Sequence, residues 1–550
     1  MKKARRLAAF ALAAIMALTA LAACAPPAQS QGGQSQANPG TADGSGGGEK
    51  VFRFATITEP TSLDPQLGSG VWITNVTGAI FEGLVRRYNG EIQPALAESW
   101  TVSEDGLTYT FRLRDASWSD GAPITAQDFV DSWNLLIQRA TPMAQFTDYF
   151  TVNGAANATA VDEKTLEVTL NYPVPFMMEI FSISAMGVVR TDKYAEKGDA
   201  YYQSVPEAMN GPFLLTQWKP NDVMVLEPNP GYWNASAVNF DRVEIYTVKD
   251  DTTQVNMYEN GEIDLLNVPK TMFKDFEDKG MQYYNDGSTY FIQFTTDGQT
   301  DETAKFLANR DFIEAVSYCI DREDFVNSVY NGSFQPAVEF VPPSATGYNG
   351  GAKGDAGVSI VSPFAVKADL AKAKEKLASA LATLNVAADA IPTFTLVVSD
   401  AADRQTAAQY VQDVCGQAGI PIRIDTIPSA TFWSTLREGY RYDFAMAGSG
   451  PDVDDASTFL MVYDGKGLYA DTFMRWHSDE YAQVLAHSWQ AGDAAERTKD
   501  LVWMENYLLS NGPVIPLYFT QAGWMLADGF TGISRNMTGA DLDYVFGDKG

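Results

Sequence analysis

The chain has 550 residues, 69 of them Asp or Glu against 39 Lys or Arg, and a formal net charge of −30. That balance excludes nucleic acid as a partner, which would require a basic footprint, and excludes charge-driven adhesion to an anionic bilayer. It does not name a ligand, because net charge governs solubility and steering rather than a site.

Lys2, Lys3, Arg5 and Arg6 precede an apolar, Ala-rich run from Leu7 to Ala23. A span of that size ending in small residues reads as a secretory signal rather than a permanent membrane helix. Its end, Leu21-Ala22-Ala23-Cys24, resembles the lipobox of bacterial lipoproteins, which implies a lipid on Cys24 as the mature N-terminus. Removal of the four cations takes the charge to about −34. Residues 24–50 follow as a tether of Ala, Pro, Gln, Ser, Gly and Asn that can bury no core. Its reach as a flexible coil is about 25–30 Å. The remaining ~500 residues exceed one core at roughly 100–200 residues per domain, so at least two domains are expected. No later apolar run is long enough to span a membrane.

From Val51 the pattern is mixed α and β. Leu107, Tyr109, Phe111 and Leu113 alternate with polar residues as in a half-buried strand, and Ser119-Asp120-Gly121 supplies the turn beyond it. Thr125 with Asp128 reads as a capping box, followed by a helical stripe of Phe129, Val130, Trp133, Leu136 and Ile137. Leu166, Val168 and Leu170 mark another strand. Leu370, Leu377, Leu381 and Leu384 share one helical face. Phe394 to Val398 is strand-like, a helix runs through Ala407, Val411 and Cys415 to a stop at Gly416 and Gly419, and Ile420 to Ile424 is again a strand. This β-α-β order predicts a sheet flanked by helices, and no solenoid-type repeat is present. Cys319 and Cys415 either pair or serve as buried small hydrophobes.

Enzyme chemistries find little footing. The two histidines, His477 and His487, lack the i, i+4 spacing of a helical zinc site and read as surface or packing residues. No phosphate-binding or dinucleotide fingerprint stands between a strand and a helix, and no Gly-x-Ser-x-Gly elbow is supported by a placed histidine. No catalytic residue, metal ligand or cofactor is assigned.

Several blocks occur in a telling order: Glu59-Pro60-Thr61-Ser62-Leu63-Asp64-Pro65, Phe81-Glu82-Gly83-Leu84, Pro94 to Trp100, Tyr109 to Arg114, and Trp118-Ser119-Asp120-Gly121. Gly211-Pro212-Phe213 with Trp218, Asn229-Pro230-Gly231-Tyr232-Trp233 and Asn260-Gly261-Glu262-Ile263-Asp264 come next. Ile320-Asp321-Arg322-Glu323, Val341-Pro342-Pro343 and Pro516-Leu517-Tyr518 complete the series. Together they resemble the family 5 extracellular solute-binding proteins, the oligopeptide/dipeptide-binding group.

The resemblance implies an α/β fold, a two-lobed clamshell of the periplasmic-binding-protein kind with an extra inserted domain and mixed sheets flanked by helices. Domain I would comprise 51–81, 200–288 and 518–550, domain II the insertion 82–199, and domain III 289–517. It implies a monomeric, non-enzymatic substrate-binding lipoprotein of an ABC importer. Held at the cell surface or in the periplasm by its lipid, the protein would capture short peptides between its lobes. It would deliver them to permease subunits with their ATPases. The same scaffold also serves oligosaccharides, nickel complexes, haem, opines and peptide pheromones.

By the same resemblance Asp452, in the loop Gly448-Ser449-Gly450-Pro451-Asp452-Val453-Asp454-Asp455, matches the aspartate that takes a peptide's ammonium group. Gly450 would allow close backbone approach to the ligand. Arg437 stands where an arginine can face the carboxyl end, and Ser69-Gly70-Val71-Trp72 matches the segment beside the peptide backbone. Each has a plainer reading: a solvated acidic loop, a surface arginine, a core tryptophan. Ser449, Ala456 and Met446 depart from the family pattern, where Trp, Pro and a cleft arginine are common. Trp100, Trp118, Trp133, Trp218 and Trp233 fall in structural blocks and are expected in the core rather than on a sugar-stacking face.

Overall fold

Two large mixed sheets organise the chain. The first runs Phe213–Lys219, Val223–Pro228, Arg242–Thr247, Val51–Thr56, Leu265–Val268, Ala522–Leu526, Gln282–Tyr284 across its seven strands. Only the pairings of Val51–Thr56 with its two neighbours are parallel. The second, of six strands, runs Gln335–Pro336, Val514–Phe519, Thr289–Phe294, Phe444–Ser449, Phe394–Ser399, Ile422–Ile427. A smaller sheet orders Ala97–Val102, Thr108–Leu113, Thr165–Thr169 and Ala158–Asp162. This computed structural model describes residues 49–67, 71–349, 351–451, 453–463, 473–491, 493–536, 538 and 541–550, with the backbone alone for Val71, Trp72 and Ala430. Cys24 lies outside the described residues. None of the described helices is long and apolar enough to cross a membrane.

The chain passes between the two large sheets twice, after Tyr284 and after Phe519. The crossings are bolted together: Thr520 N–H donates to Ser288 O at 2.9 Å, and the Asp286 carboxylate accepts from the Thr520 hydroxyl and from Ser288 N–H.

Local patterns translate directly into elements. Tyr109, Phe111 and Leu113 are buried on one face of strand Thr108–Leu113, while Arg112 points outward. Helix Ala126–Arg139 starts at the expected box, with the Asp128 carboxylate accepting from Thr125 N–H at 2.7 Å and from its hydroxyl at 2.9 Å. The β-α-β unit is Phe394–Ser399, helix Ala402–Ala418 and Ile422–Ile427, its strands parallel. Gly416 does not stop this helix; it lies inside, and Gly419 at φ 91° supplies the left-handed cap. Cys319 and Cys415 are buried free thiols. Each serves as a small hydrophobe, and contact with Cys319 and burial push the Cys415 thiol pKa up.

Blocks far apart in sequence are halves of single networks. Glu82 is fully buried and accepts from Tyr232 OH and Trp233 Nε1, both at 2.6 Å, with Arg86 3.5 Å away. Phe-Glu-Gly-Leu and Asn-Pro-Gly-Tyr-Trp therefore meet, because a buried carboxylate needs donors and a cation. Arg114 stacks 3.5 Å over the Trp233 ring. Arg322, fully buried, donates to Pro516 O, Ala365 O and the Ser317 hydroxyl, and burial pushes its pKa down to about 9. Trp118 and Trp133 are buried, while Trp100, Trp218 and Trp233 pack half-buried on the same core, so these rings build the interior.

Gly211 sits where a side chain has no room: a Cβ there would stand 2.5 Å from Ala79 O and 2.8 Å from Phe81 N. Backbone cannot yield as a side-chain tip can. Gly211→Ala is expected to cost about 2–3 kcal/mol in urea unfolding. A stability equal to the unsubstituted chain would refute this packing.

Candidate functional site

Strand Phe444–Ser449 pairs antiparallel with Thr289–Phe294 and delivers the chain into the acidic loop. Gly450 is exposed at its exit, where a Cβ would lie 3.1 Å from the Ser288 hydroxyl. Asp452 lies outside the described residues. Its neighbours are not solvated. Val453 is buried in the core of the first large sheet, although the strand that leads into its loop belongs to the second.

Asp454 and Asp455 are each 5 % exposed, which overturns the solvated-loop reading for both. Asp455 takes Arg497 at 2.6 and 3.0 Å and accepts from Ser457 N–H at 2.8 Å. Gly347, at φ 98°, closes over this pair; a Cβ would meet Asp455 Oδ2 at 2.7 Å.

Asp454 accepts from Thr346 N–H at 3.1 Å and pairs with Arg87. Arg87 also holds Glu179 at 2.5 Å, so one guanidinium joins two carboxylates from distant parts of the chain. Burial raises the pKa of both Glu179 and Asp454 despite the opposing pull of Arg87. Beside this joint Tyr172 stacks on Trp489 at 5.1 Å, and a cavity of about 230 Å³ opens among Tyr149, Phe176, Val453, Met461 and Trp489.

Ser69 and Gly70 lie outside the described residues. Val71 opens helix Val71–Ile80, and the side chains of Val71 and Trp72 are not described. The helix is anchored by Asn75, whose Oδ1 accepts from Leu542 N–H at 3.0 Å and whose carbonyl accepts from Tyr544 OH at 2.8 Å. A cavity of about 70 Å³ is lined by Thr74 and Gly78 of this helix, by Glu179, and by Val453 of the acidic loop. This cavity sets Thr74 and Gly78 of the helix beside Val453 of the loop. Arg437 is the exposed last residue of helix Phe432–Arg437, and that cavity does not include it.

A further cluster escaped sequence reading. Arg404 lies 4.0 Å over the Tyr290 ring and donates to Tyr518 OH at 2.7 Å and Tyr330 OH at 3.3 Å. Tyr518 stacks on Phe334 at 4.8 Å and on Tyr290 at 5.0 Å. Lys270, from the first sheet's side, places its ammonium 4.5 Å over Phe334. Tyr518 stood in a recognised block; Lys270 and Arg404 belong to no motif.

The histidines are exposed and pair with carboxylates, His477 with Asp479 and His487 with Asp500. Among the described residues no group of acidic, His and Cys side chains could hold a metal ion.

Comparison with known proteins agrees with this architecture. Residues 91–470 match "Bacterial extracellular solute-binding proteins, family 5 Middle". The chain is 27 % identical to the dipeptide-binding protein DppE of Bacillus subtilis, covering 91 % of this chain and 92 % of that one. Over 84 % of its length it is 29 % identical to the periplasmic oligopeptide-binding protein OppA of Salmonella typhimurium, covering 86 % of that protein. The substrate-binding domain of a Bacillus anthracis oligopeptide ABC transporter superposes with a TM-score of 0.70 at 26 % identity, over 92 % of this chain and 99 % of that one. The unliganded open form of the murein tripeptide-binding protein MppA gives 0.73 at 25 %, over 90 % and 95 %. The α/β fold, its paired mixed sheets and the matched family place this chain among the bacterial extracellular solute-binding proteins of family 5, which bind solutes and are not enzymes.

Proposed function

We propose that this protein captures short peptides outside the cytoplasm and hands them to the membrane permease of an ABC importer. The reading takes the two large sheets as the hearts of two lobes: domain I at 51–81, 200–288 and 518–550, and domain III at 289–517, with 82–199 inserted as domain II. Cys24 would carry the lipid that holds the protein at the membrane. The observation that carries the reading is the shared cavity of helix Val71–Ile80 and Val453. That helix begins in the segment proposed to flank a peptide backbone, 69–72, and Val453 follows Asp452 in the sequence. The relatives named above, which bind peptides by their names, support the ligand class.

A peptide offers an ammonium group, a carboxylate and a backbone. Backbone hydrogen bonds hold it without regard to sequence, and an enclosed ammonium requires a carboxylate partner. Asp452 is that partner in this reading; Arg437 is the sequence's candidate for the other end. Asp452→Ala is expected to weaken peptide binding by about 2–5 kcal/mol, as for a broken buried charge pair. Calorimetry with unchanged affinity would remove Asp452 from the site. Native mass spectra of the protein purified without refolding, repeated in denaturing solvent, test the ligand class. A ladder of peptide masses lost on denaturation is the expected result. A single sugar, metal-complex or haem mass would overturn it.

A further inference from the structure

Beside the Arg87 joint lies a cavity whose wall carries a single charge, and that charge is negative. Its volume is about 230 Å³. At ~30 Å³ for each water displaced, that is room for a solute of about eight heavy atoms. Residues 145–180 form one side and residues 453–489 the other. Asp148 stands on the first side, and among the described residues no Lys, Arg or His lines the cavity. The Asp148 carboxylate makes no hydrogen bond or ion pair among the described residues, and burial alone raises its pKa.

Four rings shape the space. Tyr149 meets Tyr172 at 76° and Phe176 at 87°, with centroids 6.0 Å apart in both pairs. Rings set near right angles wall a space from several sides, whereas a stack would fill it. Trp489 comes from the other side and lies within 10° of parallel to Tyr172, at 5.1 Å. Its indole N–H is buried and donates to nothing among the described residues. A buried indole N–H ordinarily has an acceptor, and an occupant of the cavity that Trp489 lines can supply one. Tyr172 is 37 % exposed and Asp148 is exposed, so the cavity has a way in.

Aromatic walls attract a cation through the negative faces of their rings, and alkyl groups on that cation bury apolar surface against the same walls. A bare metal ion would give up its hydration for one carboxylate; an alkylated ammonium has far less hydration to lose. We propose that this cavity binds a small alkylated ammonium solute, its charge facing Asp148, its alkyl groups among Tyr149, Tyr172 and Phe176, and an oxygen accepting from Trp489. The site is separate from the one proposed for peptides and does not depend on that reading. Its occupant touches both sides of the seam, so it favours their joined arrangement by its differential affinity for it.

Calorimetry and ligand-observed NMR on the purified protein test this with three probes. They are choline, tetramethylammonium, and the uncharged isostere of choline in which carbon replaces nitrogen. Choline is expected to bind saturably, and the isostere about tenfold more weakly or worse. Asp148→Asn and Tyr172→Leu, both at exposed positions, are expected to keep Tm and to weaken choline about tenfold each. Trp489→Phe keeps a ring and loses the N–H, so it should weaken choline and spare tetramethylammonium, which has no acceptor. Asp452→Ala should leave choline binding unchanged. Absence of saturable choline binding, or equal affinity for the isostere, overturns the proposal. Choline affinity untouched by Asp148→Asn and Tyr172→Leu overturns this location. Loss of choline binding in Asp452→Ala would put the cation with the partner proposed for a peptide ammonium, and overturns a separate site.

Discussion

Arg87→Met is expected to weaken the joint between the two large cores by about 3–5 kcal/mol, the cost of leaving buried charge unpaired. Arg87 is 10 % exposed at its side chain, and its partners Glu179 and Asp454 are 20 % and 6 % exposed. Without the guanidinium, two carboxylates face each other where water is scarce. Neither core needs to unfold to relieve them; the parts need only move apart. The loss should therefore appear as a larger radius of gyration in small-angle scattering and faster amide exchange over 453–458, with a smaller fall in Tm. Scattering and exchange indistinguishable from the unsubstituted chain would show that the bridge holds nothing.

The pH dependence follows from the same geometry. Burial raises the pKa of both Glu179 and Asp454 in the joined arrangement, so each binds a proton more readily there than when separated and solvated. Acidification from neutral pH towards the ordinary carboxylate range then favours the joined arrangement, and that contribution is lost as pH rises through the raised values. Arg87→Met should steepen this dependence. Its defect is expected to be larger at about pH 8 than at about pH 5, where protonation removes the unpaired charge. A defect independent of pH would exclude the two carboxylates as its cause.

Glu505→Ala is expected to destabilise the core of the second sheet by about 3–5 kcal/mol. Glu505 is fully buried in helix Ala494–Asn511, where one oxygen accepts from Phe340 N–H and Val341 N–H, both at 2.9 Å, and from Lys353 Nζ at 2.7 Å. Pro342 and Pro343 follow and have no N–H, so the carboxylate takes the last two donors before a stretch that offers none. Alanine would orphan both amides and leave the ammonium of Lys353, a residue 5 % exposed, with only Glu339 and the Val341 carbonyl. Glu505→Gln keeps an acceptor for the amides and loses the charge, so an intermediate loss is expected. Urea unfolding followed through the tryptophans checks both. Equal stability of the two variants would mean that the charge, rather than the amide contacts, carries the whole effect.

The sequence by itself determined what is settled within a few residues or by order along the chain. Alternation at Tyr109, Phe111 and Leu113, the capping pair Thr125 and Asp128, and the β-α-β rhythm around Ala407 each arise from contacts inside one turn or one strand. The ordered blocks carried the family, because their glycines, prolines and tryptophans serve packing that the fold repeats. Only the tertiary structure decided where charge goes. Glu82 is 150 positions from Tyr232, and Arg87 is 367 from Asp454, so no local pattern reports those pairings. Asp454 and Asp455 read as a solvated acidic run until folding supplied Arg87 and Arg497. Gly416 looked like a helix stop, but Gly419 alone reaches the left-handed conformation. The Arg404 cluster was silent for the same reason: Tyr290, Tyr330 and Tyr518 reach it from three distant parts of the chain.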